Sequence, residues 1–160
     1  MTAAVDADQF RQLMSRFATG VSVVTVRGAG GRPLGMTASS LASVSLEPPL
    51  LLVAVDRKND MHDALESAPH FAVNILTAGQ EGLSRRFAST DPNRFEGVGY
   101  REGRHGVPLL DDALAHIECA AHTAVSGGDH TVYFGLVTGG EVTEKEPLVY
   151  YRSNYAGLAR

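Results

Sequence analysis

The spacing of apolar positions changes repeatedly along this chain, and each change marks an element. Phe10, Leu13, Met14 and Phe17 fall at i, i+3, i+4 and i+7. That spacing predicts a helix with one face on the core, ended by Gly20. Val21 to Val26 is a β-branched run, and the cluster Gly28-Ala29-Gly30-Gly31 before Pro33 predicts a hairpin turn with a returning strand through Gly35 to Ser40. After Pro48-Pro49, the run Leu50-Leu51-Leu52-Val53-Ala54-Val55 is apolar at every position, as expected of a central strand covered on both faces.

Asn59 is placed to cap a short helix through Leu65, stopped before Pro69, and Phe71 to Leu76 resumes strand sequence. A further short helix is expected from Gln80 to Phe87. Ala88 to Gly106 is polar and glycine-bearing, long enough for a functional loop. Leu114 to Val125, Thr131 to Val142 and Leu148 to Tyr151 are strand-like. With no repeat, low-complexity tract or linker, three short helices among many strands predict a single domain over residues 1–160, with a core from about 10 to 155. The expected class is mostly β with short helices, a closed or partly closed barrel with helical covers.

Composition narrows the function classes. The 160 residues suffice for one core that buries about two-thirds of the unfolded surface. No segment approaches the roughly 20 apolar residues that span a bilayer, so no membrane role is expected. Met1 to Asp6 lacks the basic and apolar regions of a secretory signal, and the expected location is cytoplasmic. The single cysteine, Cys119, has no internal partner. A net charge of −4 and the absence of any Lys/Arg run argue against nucleic acid as a partner. An acidic protein can still bind a small phosphorylated ligand through backbone N–H groups and hydroxyls.

The common nucleotide and hydrolase fingerprints are missing. Gly28-Ala29-Gly30-Gly31-Arg32-Pro33 has proline where the dinucleotide pattern needs glycine, and a strand follows it. The chain has no phosphate loop, no His-Glu-x-x-His, no Cys-x-x-Cys and no Gly-x-Ser-x-Gly, and no metal site is expected. Cys119 and His122 fall on opposite faces by strand alternation, which leaves Cys119 a core residue. What remains is Thr37-Ala38-Ser39-Ser40, three hydroxyls on a small-residue segment that a phosphate can approach, equally compatible with an ordinary strand.

Taken in order, Gly20 to Thr25, Gly35-Met36-Thr37-Ala38-Ser39-Ser40, Ser43 to Leu50, Phe71 to Leu76, Leu83-Ser84-Arg85-Arg86-Phe87-Ala88 and Gly128-Asp129-His130 resemble the short-chain flavin reductase family from Phe10 to Tyr155. The likeness is close to reductases of actinobacterial aromatic and polyketide oxidation. It implies a homodimeric split β-barrel that binds FAD or FMN, takes hydride from NADH or NADPH, and supplies a flavin-dependent monooxygenase with reduced flavin. Thr37, Ala38, Ser39 and Ser40 match the family's phosphate segment, and Ser84, Arg85 and Phe87 lie in its second phosphate motif, with Arg86 an alternative to Arg85. Val53, Ala54, Val55 and Asp56 match the segment facing the flavin ring. Asn59 is either a polar contact there or only the helix cap. Gly128, Asp129 and His130 match the nicotinamide motif, with His130 as the catalytic-site histidine and Asp129 either orienting it or stabilising the turn. Arg152 and Tyr155 match the closing aromatic segment. A permanently bound FMN that oxidises another small molecule, or a flavin-binding module without turnover, are the alternatives.

Overall fold

The computed structural model describes residues 1–160. Three helices, α1 (Ala7–Met14), α2 (Asp60–Ser67) and α3 (Glu81–Ala88), interrupt twelve strands. The first six strands are β1 (Thr19–Gly20), β2 (Ser22–Arg27), β3 (Pro33–Ala38), β4 (Ala42–Leu46), β5 (Pro49–Asp56) and β6 (His70–Ile75). The rest are β7 (Tyr100–Glu102), β8 (Pro108–Leu110), β9 (Ala115–Gly127), β10 (His130–Val142), β11 (Val149–Tyr151) and β12 (Asn154–Ala156). A seven-stranded sheet runs β3-β2-β6-β9-β10-β5-β4, flanked by the sheets β1-β11-β12 and β7-β8.

The strands at the two edges of the large sheet are consecutive in the chain. Only Ser39-Ser40-Leu41 separates β3 from β4. Six strand spacings of about 4.8 Å would hold the edges of a flat sheet about 29 Å apart, whereas the chain from Ala38 to Ala42 reaches about 14 Å at most. The sheet therefore curls until its edges approach at this corner, although no ladder joins β3 to β4.

The concave side holds the main core. Val24, Val26, Met36, Val53, Val55, Phe71, Val73 and Cys119 pack there, with Met61 and Leu65 of α2 closing one end. Leu41, Ile75, Ile117 and Val137 line an apolar depression of about 630 Å³. On the convex side Val21, Val23, Leu76, Phe87, Leu110 and Leu148 form a second layer. Asn74, fully buried, pins this layer: its Nδ2 donates to Val23 O (2.9 Å) and Thr25 Oγ1 (3.0 Å), and its Oδ1 accepts from Leu110 N (2.9 Å).

Two expectations are corrected. Helix α1 ends at Met14, well before Gly20, and its apolar face does not reach the core. Phe10, Leu13, Met14 and Phe17 are 52–68% exposed, because no element of the same chain covers them. The apolar run at Leu50 to Val55 is not the strand buried on both faces. In β5, next to the edge, Leu51, Val53 and Val55 are buried while Leu50, Leu52 and Ala54 are only half-buried. The strands buried on both faces are β2 and β6. The segment from 88 to 106 is mostly irregular, as expected, but it contributes β7. Cys119 is buried and His122 exposed, with burial pushing the Cys119 thiol up to about 12.

Gly135 shows how tightly the core is filled. It sits where the β9–β10 register shifts, so that His122 is the extra residue of a β-bulge. A Cβ at Gly135 would lie 2.6 Å from Phe71 Cζ and 2.9 Å from Cys119 Cβ. Gly135→Ala is expected to cost about 1–3 kcal/mol through overpacking, measured as a lower urea midpoint with an unchanged m-value; an unchanged midpoint would mean that the core yields at no cost.

Candidate binding and catalytic site

The candidate residues fall into three neighbouring groups. The first surrounds α3. Thr37 Oγ1, at the end of β3, donates to Ser84 O (2.6 Å), and Ser84 Oγ hydrogen-bonds Tyr155 OH (2.8 Å). The Arg85 guanidinium lies 4.8 Å above the Tyr155 ring and pairs with Glu81 at 2.8 Å. That pairing, led by the hydrogen bond to Glu81, raises the Arg85 pKa. The structure thus separates the two arginines. Both are exposed, but Arg85 pairs with the Glu81 carboxylate beside the Tyr155 ring, while Arg86 donates to the carbonyls of Asn93, Arg94 and Glu96.

The second group is a groove of about 430 Å³ between α1, the Ser39-Ser40 corner and the β11–β12 hairpin, lined by Phe10, Phe17, Thr19, Ser39, Tyr150 and Arg152 among others. Thr19 Oγ1 is buried here without a hydrogen-bond partner. Ser39 is exposed, whereas Ser40 Oγ donates to Ala54 O (3.0 Å) and accepts from Ala54 N (3.1 Å). Arg152 and Ser153 form the hairpin turn with φ of 51° and 62°, a conformation that carries backbone strain in non-glycine residues.

The third group lies at the end of β5. Strand β4 pairs β5 only as far as Leu52. Since Ala54 turns its N–H and C=O toward Ser40, alternation turns the Asp56 N–H to the same side, where no strand covers it. Asp56 also pairs in register with His130 across β10. His130 is half-buried, with Nδ1 2.7 Å from Asp129 Oδ1. This hydrogen bond lowers the Asp129 pKa, helped by the His130 charge. Gly128 supplies the positive φ (63°) that the turn requires. Beside it, Asp56, Lys58, Asn59, Ser89 and Arg94 line a polar depression of about 360 Å³.

The geometry shows which groups of the predicted residues are free to meet a ligand. The side chains of Val53 and Val55 are wholly within the core, so only their backbone could serve a ligand. Phe87 and Ser84 are buried, Phe87 against Phe95 at 5.0 Å and Ser84 beneath Tyr155. Ala38 is buried, with its carbonyl accepting from Ser22 Oγ at 2.9 Å. Asn59 is the helix cap, its Oδ1 accepting from Met61 N at 2.9 Å. Thr37 and Ser40 have each given their only O–H to a protein carbonyl. Among the hydroxyls of that segment, Ser39 keeps its donor free.

Three residues here had no signal in the sequence. Thr19 becomes notable only because burial leaves its hydroxyl orphaned. Arg57 bonds the turn that carries His130. Arg94, 6% exposed, makes a bidentate pair with Asp60 (2.7 Å to each oxygen) and also bonds Gly35 O, Ser89 O and Asp91 O. Such a buried arginine fixes the irregular segment onto α2 and α3, but spacing cannot tell it from a surface one.

The family profile "Flavin reductase like domain" matches residues 14–159. The chain is similar to the reductase subunit HsaB of a flavin-dependent monooxygenase from Rhodococcus jostii, at 38% identity over 156 residues, 97% of this chain and 80% of the relative. It is 44% identical over 156 residues to a flavin reductase (NADH) of Kitasatospora aureofaciens, covering 95% and 82% of the two chains. Among solved structures, the Streptomyces globisporus NADH:FAD oxidoreductase SgcE6 in complex with NAD and FAD fragments superposes with a TM-score of 0.91 at 40% identity, covering 99% and 98%.

The two serines of the corner should separate by stability. Ser40→Ala removes both bonds to Ala54 on an open strand edge and is expected to cost about 1–3 kcal/mol. Ser39→Ala should stay within about 0.5 kcal/mol of wild type. Urea unfolding of both variants checks this, and equal midpoints would contradict the assigned bonds.

Proposed function

The chain belongs to the flavin reductase like family, and on that premise we propose that it is an NAD(P)H:flavin oxidoreductase that reduces FAD or FMN and passes the reduced flavin to a partner monooxygenase. The partner follows from the relative named as a reductase subunit of a flavin-dependent monooxygenase, and FAD with NADH from the oxidoreductase of Streptomyces globisporus. The observation that carries the reading at residue level is the juxtaposition, at the end of β5, of an uncovered strand edge at Asp56 with a histidine oriented by Asp129.

The residues present fit a flat phosphorylated ligand. Ser39 offers a free O–H and Thr19 an orphaned one, Arg152 adds positive charge at the groove, and Phe10, Phe17 and Tyr150 provide apolar walls. When bound, flavin and reduced nicotinamide supply the hydride acceptor and donor between them, so the protein needs no base of its own. Its task is alignment and exclusion of water. The Asp56 N–H is a backbone donor suited to a ring edge on which negative charge develops. With Nδ1 held by Asp129, His130 keeps Nε2 available for the nicotinamide side.

A homodimer and a split barrel complete the proposal. Their support is the family's architecture, the curl forced by the Ser39 to Leu41 link, and the apolar face of α1, which the isolated chain leaves exposed. A full-rate monomer in sedimentation velocity would rule the dimer out.

The decisive assay crosses FAD and FMN with NADH and NADPH. NADH or NADPH oxidation that depends on added flavin is expected. Turnover without added flavin would indicate a permanent prosthetic group, and binding without turnover a non-catalytic module. Ser39→Ala is expected to weaken flavin binding by about 0.5–1.5 kcal/mol, read by fluorescence titration. His130→Ala should leave the flavin dissociation constant unchanged while raising the KM for NADH or lowering kcat. Equal losses in both measurements would point to a damaged sheet instead.

A further inference from the structure

Arg57 is the first residue beyond β5, and it reaches across to the β9–β10 turn. Its backbone N–H donates to Asp129 O at 3.1 Å. Its Nη1 donates to Gly128 O at 2.6 Å, and its Nη2 to Ser126 Oγ. One residue thus holds three positions of the turn that ends in His130. The base it works from is stiff. Asp56 Oδ1 accepts from Lys58 N at 2.9 Å and Asp56 O accepts from Asn59 N at 3.0 Å, which closes the link from β5 into the capped end of α2.

We propose that Arg57 is a positioning residue for hydride transfer, clamping the Gly128-Asp129-His130 turn onto the end of β5 and so fixing His130 relative to the uncovered Asp56 edge. The inference rests on the reading of His130 as the nicotinamide-side histidine. Without the guanidinium bonds, the turn keeps only the backbone bond from Arg57 N–H to Asp129 O, the His130–Asp56 pair and the last β9–β10 pairs, whose β9 residues, Ala121 to Gly127, are exposed. Such a hairpin tip frays readily. A planar guanidinium fork can bond two acceptors on different residues at once, which the ammonium of lysine cannot do in the same geometry. Because the clamp is on the surface and outside both cores, its removal loosens the turn without unfolding the sheet. Hydride transfer is sensitive to that looseness, since a misplacement of about 1 Å can cost roughly a hundredfold in rate.

The test compares Arg57→Ala, Arg57→Lys, His130→Ala and the Arg57→Ala/His130→Ala double variant. In the cofactor-free protein, Arg57→Ala should speed amide hydrogen exchange at the paired Gly127 and His130 by about tenfold or more while leaving the core strands protected. In the assay it should raise the KM for NADH or lower kcat by about ten- to a hundredfold, with an unchanged flavin dissociation constant. Arg57→Lys should recover part of the loss, and the double variant should be no worse than His130→Ala alone. Normal exchange and kinetics in Arg57→Ala, with His130→Ala impaired, would overturn the clamp. Additive losses, or loss of flavin affinity, would overturn it by showing that Arg57 acts elsewhere. If His130→Ala matches wild type, the reading of His130 fails first, and the proposal that rests on it falls too.

Discussion

A link of three residues between the two edge strands is the constraint on which the rest of the structure depends. It forces a seven-stranded sheet to curl, and the curl creates both a concave side that can be filled and a convex side that must be covered. It also brings the Ser39-Ser40 corner against β5, where Ser40 satisfies the backbone of Ala54 beyond the last residue paired with β4. One hydroxyl therefore finishes the work of a strand that stops short. The uncovered length of β5 that results is where the candidate site lies.

That economy explains why so few of the site's polar groups are free. Buried or half-buried hydroxyls are costly unless bonded, and here Ser22, Thr25, Thr37 and Ser40 each donate to a backbone carbonyl. They hold strand ends, the corner and α3 in place. The groups left over are Ser39 and the Asp56 N–H, which no strand covers, and the Thr19 hydroxyl, which is buried at the groove without a partner. A net charge of −4 is no obstacle to an anionic ligand, because local donors and the guanidinium of Arg152 act at hydrogen-bond range while distant carboxylates are screened within about 10 Å.

Much of this was legible from residue pattern, and the failures share a cause. Strands such as β2, β6, β9 and β10, the cap at Asn59 and the glycine turn before Pro33 follow from local chemistry, and the structure has them where the sequence puts them. The face of α1 misled because periodicity shows that a face is apolar but not what covers it. The Leu50 to Val55 run misled for a related reason, since its second face is half-buried beside an edge strand and not beneath a second layer. At the site, motif resemblance named segments that the fold brings near one another, but it could not assign hydroxyl protons. Thr37 and Ser40 are distinguished from Ser39 only by partners 47 and 14 residues away. Arg57 and Arg94 were invisible for the same reason, because a charged residue in a polar loop reveals its acceptors only in three dimensions.

The same geometry bears on how firmly a flavin could be held. An enzyme that delivers its product to another protein gains nothing from very tight binding, because release then limits turnover. The groove offers few fixed donors. Its cations, Arg11 and Arg152, are exposed, and solvent-exposed charges contribute little to affinity. Rigid elements are instead concentrated around alignment: the Ser40 bonds that fix Ala54, the capped turn after Asp56, and the Asp129 bond to His130. Interactions that hold the geometry of the reacting edge, with only modest hold on the ligand as a whole, favour the transition state over the bound ground state. A loosely held, well-aligned ligand is the arrangement expected where flavin is a substrate that must leave after reduction.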